Sequence, residues 1–338
     1  MKEVLNVDKK PYINHLPDDT FPFVVLGSRK YAQEWLCVNF LYLAIDKRDN
    51  LERLSLDASH RIATPFYKIC RIPYEILALQ KADFLDLIKI SISKGYYVSI
   101  SVNMSSISNY KYDLALKQKH QIHIYGYDDG SNTYNVFDFF QDKLTFATCP
   151  YTEVANGYYE CPYPHVEKIE LYKLHYFSDD TYYCISTARI IEILTELLNS
   201  ENSRLKHAAI INDEIKNEEK EFCCGMDFYS YILSVIKNSE VMTFPNRTMY
   251  TVYAHCKLLF KLIEILSQKN NINFSDAFMK INSLLSKTKL LMNVYIKCSI
   301  KNSILSCDDR LKMCSLISEI KNNEEELLLL LIKSIAKI

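Results

Sequence analysis

Apolar residues first recur at helical spacing between about Arg29 and Ile45. Tyr31, Trp35, Val38, Tyr42 and Ile45 mark one stripe, and Leu36, Phe40 and Leu43 a second. Two stripes predict a helix buried over much of its surface. Ahead of it, Pro11, Pro17 and Pro22 punctuate residues 1–27, and the run Phe23-Val-Val-Leu26 predicts a short strand. Residues 46–82 carry only mixed signals. Asp83 is placed to cap a helix over Phe84–Ile92, and Gly95 to end it. The period then changes, because Tyr96–Asn103 alternates in the manner of a strand. A polar loop covers 104–118. His120–Tyr125 and Thr133–Phe140 read as strands around the dense turn signal Asp128-Asp-Gly-Ser-Asn132. Residues 119–140 therefore predict a β-hairpin with a loop of roughly five to seven residues. Residues 141–178, with Pro150, Pro162 and Pro164, read as further strand and loop.

From about Asp179 the pattern is helical. Ile190–Leu198, Phe228–Ile236, Met249–Gln268, Phe274–Ile300, Arg310–Ile320 and Glu324–Ile335 all carry the longer period. Pro245 and the polar stretch 199–220 break the series. There is no self-similar repeat, and the Leu and Ile stripes predict the core of a helical bundle. The expected organisation is an α+β domain with an antiparallel sheet over residues 1–180, followed by an all-α region over 181–338.

Composition narrows the function classes. The 338 residues are 49% hydrophobic and 24% charged, with a formal net charge of -1. Without a basic excess there is no broad electrostatic footprint for nucleic acid. The first ten residues lack a signal-peptide core, and the longest apolar run, Leu327–Ile332, falls far short of the roughly 18–20 residues of a spanning helix. A cytoplasmic chain with no membrane segment is expected. The 11 cysteines are odd in number and form no C-x-x-C pair, which predicts reduced thiols rather than a disulfide framework or a zinc ribbon. His165 and His175 lie near Cys161 and Cys184 in sequence, but their spacing matches no metal signature. With 6 Gly in all, no phosphate-cradling loop is present. No metal or cofactor is expected. The runs Glu218–Glu221 and Glu324–Glu326 read as solvated helix starts.

The chemistry that the pattern offers is nucleophilic. A cysteine nucleophile needs a base to take its proton and a third group to orient that base. A helix N-terminus lowers the thiol pKa, so an early helix followed by a His-bearing strand is a suitable order of elements. His120 opens one strand of the predicted hairpin and Asp138 closes the other. Paired strands bring such ends together, where Asp138 can accept the His120 Nδ1 proton and hold its tautomer. His123, three residues on, points to the other face. Asp128 and Asp129 read as turn residues, and Asn103 as a loop residue or a group lining the same cleft.

These residues carry a resemblance. Gly95-Tyr-Tyr-Val-Ser-Ile-Ser-Val-Asn103, then His120-Gln-Ile-His-Ile-Tyr-Gly126-Tyr-Asp-Asp129, then Tyr134-Asn-Val-Phe-Asp138 resemble the butirosin biosynthesis protein H type of papain-like domain. They are also similar to the peptidase domains that clip double-glycine leader peptides. The resemblance spans about residues 20–175. It implies a papain-like fold, with His120 as catalytic base and Asp138 as its orienter. The nucleophile that it implies is a Cys at the start of the first helix, and Cys37 in Glu34-Trp-Leu-Cys37 is the candidate. If that helix starts near Glu34, Cys37 lies in its first turn. If it starts near Arg29, the N-terminal position belongs to Ser28, which caps the helix or replaces the nucleophile. A buried helix cysteine is the plain alternative for Cys37, and Cys70 is a third thiol. Gln33 is near Cys37 in sequence, but no Gln stands just before it as an oxyanion donor.

The activity implied by the resemblance is acyl transfer or peptide cleavage in specialised metabolism, on a carrier-protein thioester or a peptide. The alternative is a domain without a working nucleophile, serving as a scaffold that docks an acyl carrier protein or peptide. A third option is a structural partner in a synthetase complex, acting through its helical half.

Overall fold

Asp83 accepts the backbone N–H groups of Leu85 and Asp86 and so starts a helix over Phe84–Ser93. Gly95, at φ +81°, turns the chain out of that helix into a strand, the left-handed step that glycine takes at least cost. A computed structural model of the chain describes residues 1–14, 17–48, 52–53, 64–73, 76, 83–111, 118–141, 143–162, 168–175, 184–202, 206, 221–238, 244, 246–270, 273–300 and 305–337. Pro164, His165, Pro245, residues 218–220 and most of the polar stretch 199–220 lie outside the described residues.

In chain order the strands are β1 (Lys2–Val4), β2 (Ala44–Asp46), β3 (Glu52–Arg53), β4 (Tyr67–Pro73), β5 (Tyr96–Asn103), β6 (Lys119–Asp128), β7 (Thr133–Phe140), β8 (Lys143–Pro150), β9 (Lys168–Leu174) and β10 (Phe222–Cys224). The helices are α1 (Pro17–Leu26), α2 (Lys30–Asn39), α3 (Phe84–Ser93), α4 (Tyr151–Tyr159), α5 (Thr187–Leu198), α6 (Met226–Asn238), α7 (Asn246–Asn270), α8 (Ser275–Ile300) and α9 (Cys307–Ile335). The chain divides into two units. One holds Met1–Arg29 and Ser59–Thr181, the other Lys30–Ala58 and Tyr182–Ile338. Residues 30–58 group with the helical unit, not with the sheet.

The first unit is built on a seven-stranded antiparallel sheet in the order β4-β9-β5-β6-β7-β8, with β1 paired to the end of β6. One face carries Val98, Ile100 and Val102 of β5 and Ile122 and Ile124 of β6, all fully buried against α3 and α4. Each such aliphatic side chain contributes about 1.5–3 kcal/mol on burial. The opposite face carries Tyr97, His123, Phe137 and Tyr172, and Phe21 of α1 packs on the last three of these. Gly126 lets β1 come close. A Cβ there would meet Glu3 O at 2.8 Å and Asn135 Oδ1 at 2.9 Å.

The second unit has a three-stranded antiparallel sheet, β10-β2-β3, and helices α2 and α5–α9. Helix α9 packs on α5, α6 and α8, and α7 packs on α2 and α8. Met313, Leu316, Ile317, Ile320, Leu327 and Leu331 form one buried stripe along α9.

Several expectations are corrected. Phe23–Leu26 is the end of α1, not a strand. The run is buried on all sides, and periodicity does not separate a buried strand from a buried helix. The helix over 29–45 stops at Asn39, and Ala44–Asp46 leave it to pair with β10. Asp128 pairs with Thr133, so the hairpin loop is 129–132 alone, shorter than expected. Helix α4 stands where only strand and loop were read. The two helices expected over 310–335 are one, α9. Glu324 is not solvated but fully buried in it. Among the described residues, no helix is long and apolar enough to cross a membrane, and no group of His, Cys, Asp and Glu could hold a metal ion.

Candidate functional site

His120 and Asp138 meet on the α3/α4 face of the sheet. Ile122 and Ile124 follow His120 on the same side of β6, and the pairs His123–Phe137 and Ile124–Val136, carried along, put His120 diagonal to Asp138. The His120 Nε2 lies 3.0 Å from Asp138 Oδ2. The contacting nitrogen is therefore Nε2 and not Nδ1 as expected. A diagonal cross-strand neighbour lies roughly 7–8 Å away at the backbone, and the distal ring nitrogen has the reach to span it.

A third group joins them. The Tyr110 hydroxyl donates to the same Asp138 Oδ2, and its ring stands edge-on to His120 with centroids 5.5 Å apart. Tyr110 closes a short 3-10 turn over Ser108–Tyr110 and packs on Phe140. Asp138 is fully buried, while the His120 side chain is 28% exposed. Burial and the Asp138 carboxylate push the Tyr110 phenol well above its ordinary range, so it is a fixed donor. Asp138 Oδ1 is buried and has no hydrogen-bond partner among the described residues. The arrangement holds an imidazole on a buried carboxylate at the edge of solvent, which suits a base or an orienting pair. Sequence reasoning missed Tyr110. It stands in a polar loop of a chain with 25 Tyr, with Tyr112 two residues on, so nothing in the sequence set it apart.

Beside this cluster is an open groove of about 490 Å³. Phe140 gives it an apolar wall, and Asn109, Gln141, Lys111 and Lys143 give it polar and cationic edges. Neither lysine makes an ion pair with a described residue.

Cys37 belongs to the other unit. Helix α2 begins at Lys30, so Cys37 lies inside it and not in its first turn. The residue is 3% exposed. Burial pushes the thiol up to about 12. Lys261 opposes the shift, while Glu34 and Glu264 reinforce it. Glu34, on the same helix, is buried and held by Lys269 and the Ile185 N–H. Gln33 is half-buried beside it.

The unit that holds His120 has thiols of its own. Cys149 is buried, its Sγ donates to Glu153 Oε2 at 3.7 Å, and burial with that carboxylate raises its pKa. Cys149 pairs with Tyr134 and Thr145 with Asp138, which puts Cys149 about 13 Å along the strands from Asp138. Cys70 is exposed on β4, separated from β6 by β9 and β5, about 14 Å across the sheet. Cys161 is buried, and Cys184, in the helical unit, is exposed. No described thiol of this unit's strands adjoins the His120–Asp138 pair.

The remaining candidates have structural tasks. His123 is buried on the opposite face, as expected, stacked on Phe137 with centroids 4.9 Å apart. Asn103 caps a 3-10 turn by accepting the Ser105 N–H. Asp128 accepts the Gly130 N–H and pairs with Lys2, while Asp129 holds the N-terminal amine and Lys89. The Lys89 bond brings Asp129 down to about 2. Ser28 is exposed in the turn after α1. His175, at the end of β9, donates its backbone N–H to Phe66. No family model and no curated protein matches the chain.

Proposed function

We propose that this protein is a binding module of papain-like descent that retains a His–Asp pair without an activated thiol, and that it docks an acyl carrier protein or a peptide. The observation that carries the reading is the state of Cys37. A nucleophilic cysteine is a partly exposed thiolate with a lowered pKa, and Cys37 is a buried thiol with a raised one. The groove beside Tyr110 supports a peptide ligand, since it joins an apolar wall to two lysines that make no ion pair with a described residue. A second reading, a cysteine-dependent acyltransferase or peptidase, is favoured by one specific observation. The His120–Asp138 pair has the geometry of a base and its orienter.

Incubation of the full chain with an acyl thioester, followed by intact mass measurement, separates the two. The binding reading expects an unchanged mass. A stoichiometric acyl adduct on Cys37, lost in Cys37→Ala, would establish the enzyme instead.

A further inference from the structure

A second site stands on the opposite face of the same sheet. There β4 is an edge strand, and its Arg71 faces Glu170 of β9 across a register pair. Arg71 Nε donates to Glu170 Oε1 at 2.9 Å. Glu170 is 3% exposed, and its Oε2 accepts from the Tyr172 hydroxyl and from Gln121 Nε2 at 3.4 Å. A carboxylate taken from water at this cost needs such partners, and once fixed it dictates where the guanidinium points. Arg71 uses only Nε in this contact. Its two Nη nitrogens make no hydrogen bond with a described residue, and Arg71 lines an open depression of about 490 Å³. Lys68, in no ion pair with a described residue, lines the same depression, as does His175. Thr64, Tyr67 and Ile69 complete its wall.

A guanidinium clamped through Nε presents its Nη edge as a preset fork, the donor geometry that matches a carboxylate or phosphate group. We propose that this depression is an oxyanion-binding site, with the ligand group on the Arg71 Nη edge. Glu170 is the positioning residue, acting through Arg71. Because Glu170 balances the Arg71 charge, attraction rests on the fixed donors, so affinity is modest and orientation matters more than charge.

The test uses the wild-type full chain first. Phenylglyoxal modification of each arginine is followed by peptide mass mapping, alone and with inorganic phosphate or acetate. Phosphate or acetate is expected to slow modification of Arg71 several-fold and to leave Arg48 and Arg189 unchanged. Protection by phosphate alone assigns a phosphate-bearing ligand, and by acetate alone a carboxylate. Calorimetric titration of Arg71→Lys with the protecting ion should then show binding weakened about tenfold although the charge is kept. Absence of protection by either ion, equal protection of all arginines, or Arg71→Lys binding as well as wild type would each overturn the proposal.

Discussion

Asp138 Oδ2 takes two donors, His120 Nε2 at 3.0 Å and the Tyr110 hydroxyl, in a fully buried position between β6 and β7. Removing the carboxylate leaves both donors without their acceptor. Asp138→Ala should therefore cost about 3 kcal/mol, and Tyr110→Phe about 1 kcal/mol. Urea denaturation of the purified variants measures both. Equal losses would mean that the hydroxyl and the imidazole do not share one oxygen.

Gly126 is a fold position. A methyl group there would strike the Glu3 carbonyl and Asn135, so Gly126→Ala should loosen β1 from β6 and destabilise by about 1–3 kcal/mol. Hydrogen exchange should quicken at Leu5, whose N–H donates to the Tyr125 carbonyl at 2.7 Å. Unchanged exchange there would contradict the close approach.

The helical unit holds a buried polar chain. Tyr229 donates to Glu324 Oε2 at 2.6 Å, and His255 Nε2 lies 3.0 Å from Glu324 Oε1. All three are buried. Glu324→Ala should destabilise this unit by about 3–5 kcal/mol, the loss expected when one partner of a buried polar pair is removed. Thermal unfolding followed by circular dichroism checks it, and a shift of under a degree would show that the chain contributes little.

Much of this was legible in the sequence. The Asp83 cap, the switch of period at Gly95 and the alternation on either side of Asp128 gave α3, β5 and the β6–β7 hairpin, because each is a local signal with a local cause. The pairing of His120 with Asp138 followed from the hairpin. Which ring nitrogen makes the contact did not, since it depends on a diagonal offset of two residues. Tyr110 was hidden because its partner is 28 residues away. Phe23–Leu26 and Glu324 were misread for different reasons. Burial on every side removes the contrast on which periodicity depends, and a carboxylate in a run of Glu shows no sign of its buried partners.

Cys37 adds to the alkaline pH dependence of the helical unit, alongside Cys256 and Tyr229, whose burial raises them too. The Cys37 thiol is raised from 9.0 to about 12, so the folded state favours the neutral form. That contribution is complete below pH 9 and is lost as pH rises toward 12. Stability measured between these values should fall less steeply in Cys37→Ala than in wild type. A parallel fall in both would show that other groups carry the alkaline loss.

The central claim is that Cys37 is not an activated nucleophile. Residue-by-residue iodoacetamide labelling of the native chain, read by mass spectrometry from pH 6 to 9, tests it most directly. Cys37 should label more slowly than the exposed Cys70, Cys184 and Cys307 at every pH. Labelling of Cys37 ahead of those three, with a midpoint below pH 8, would contradict the account and restore the enzyme.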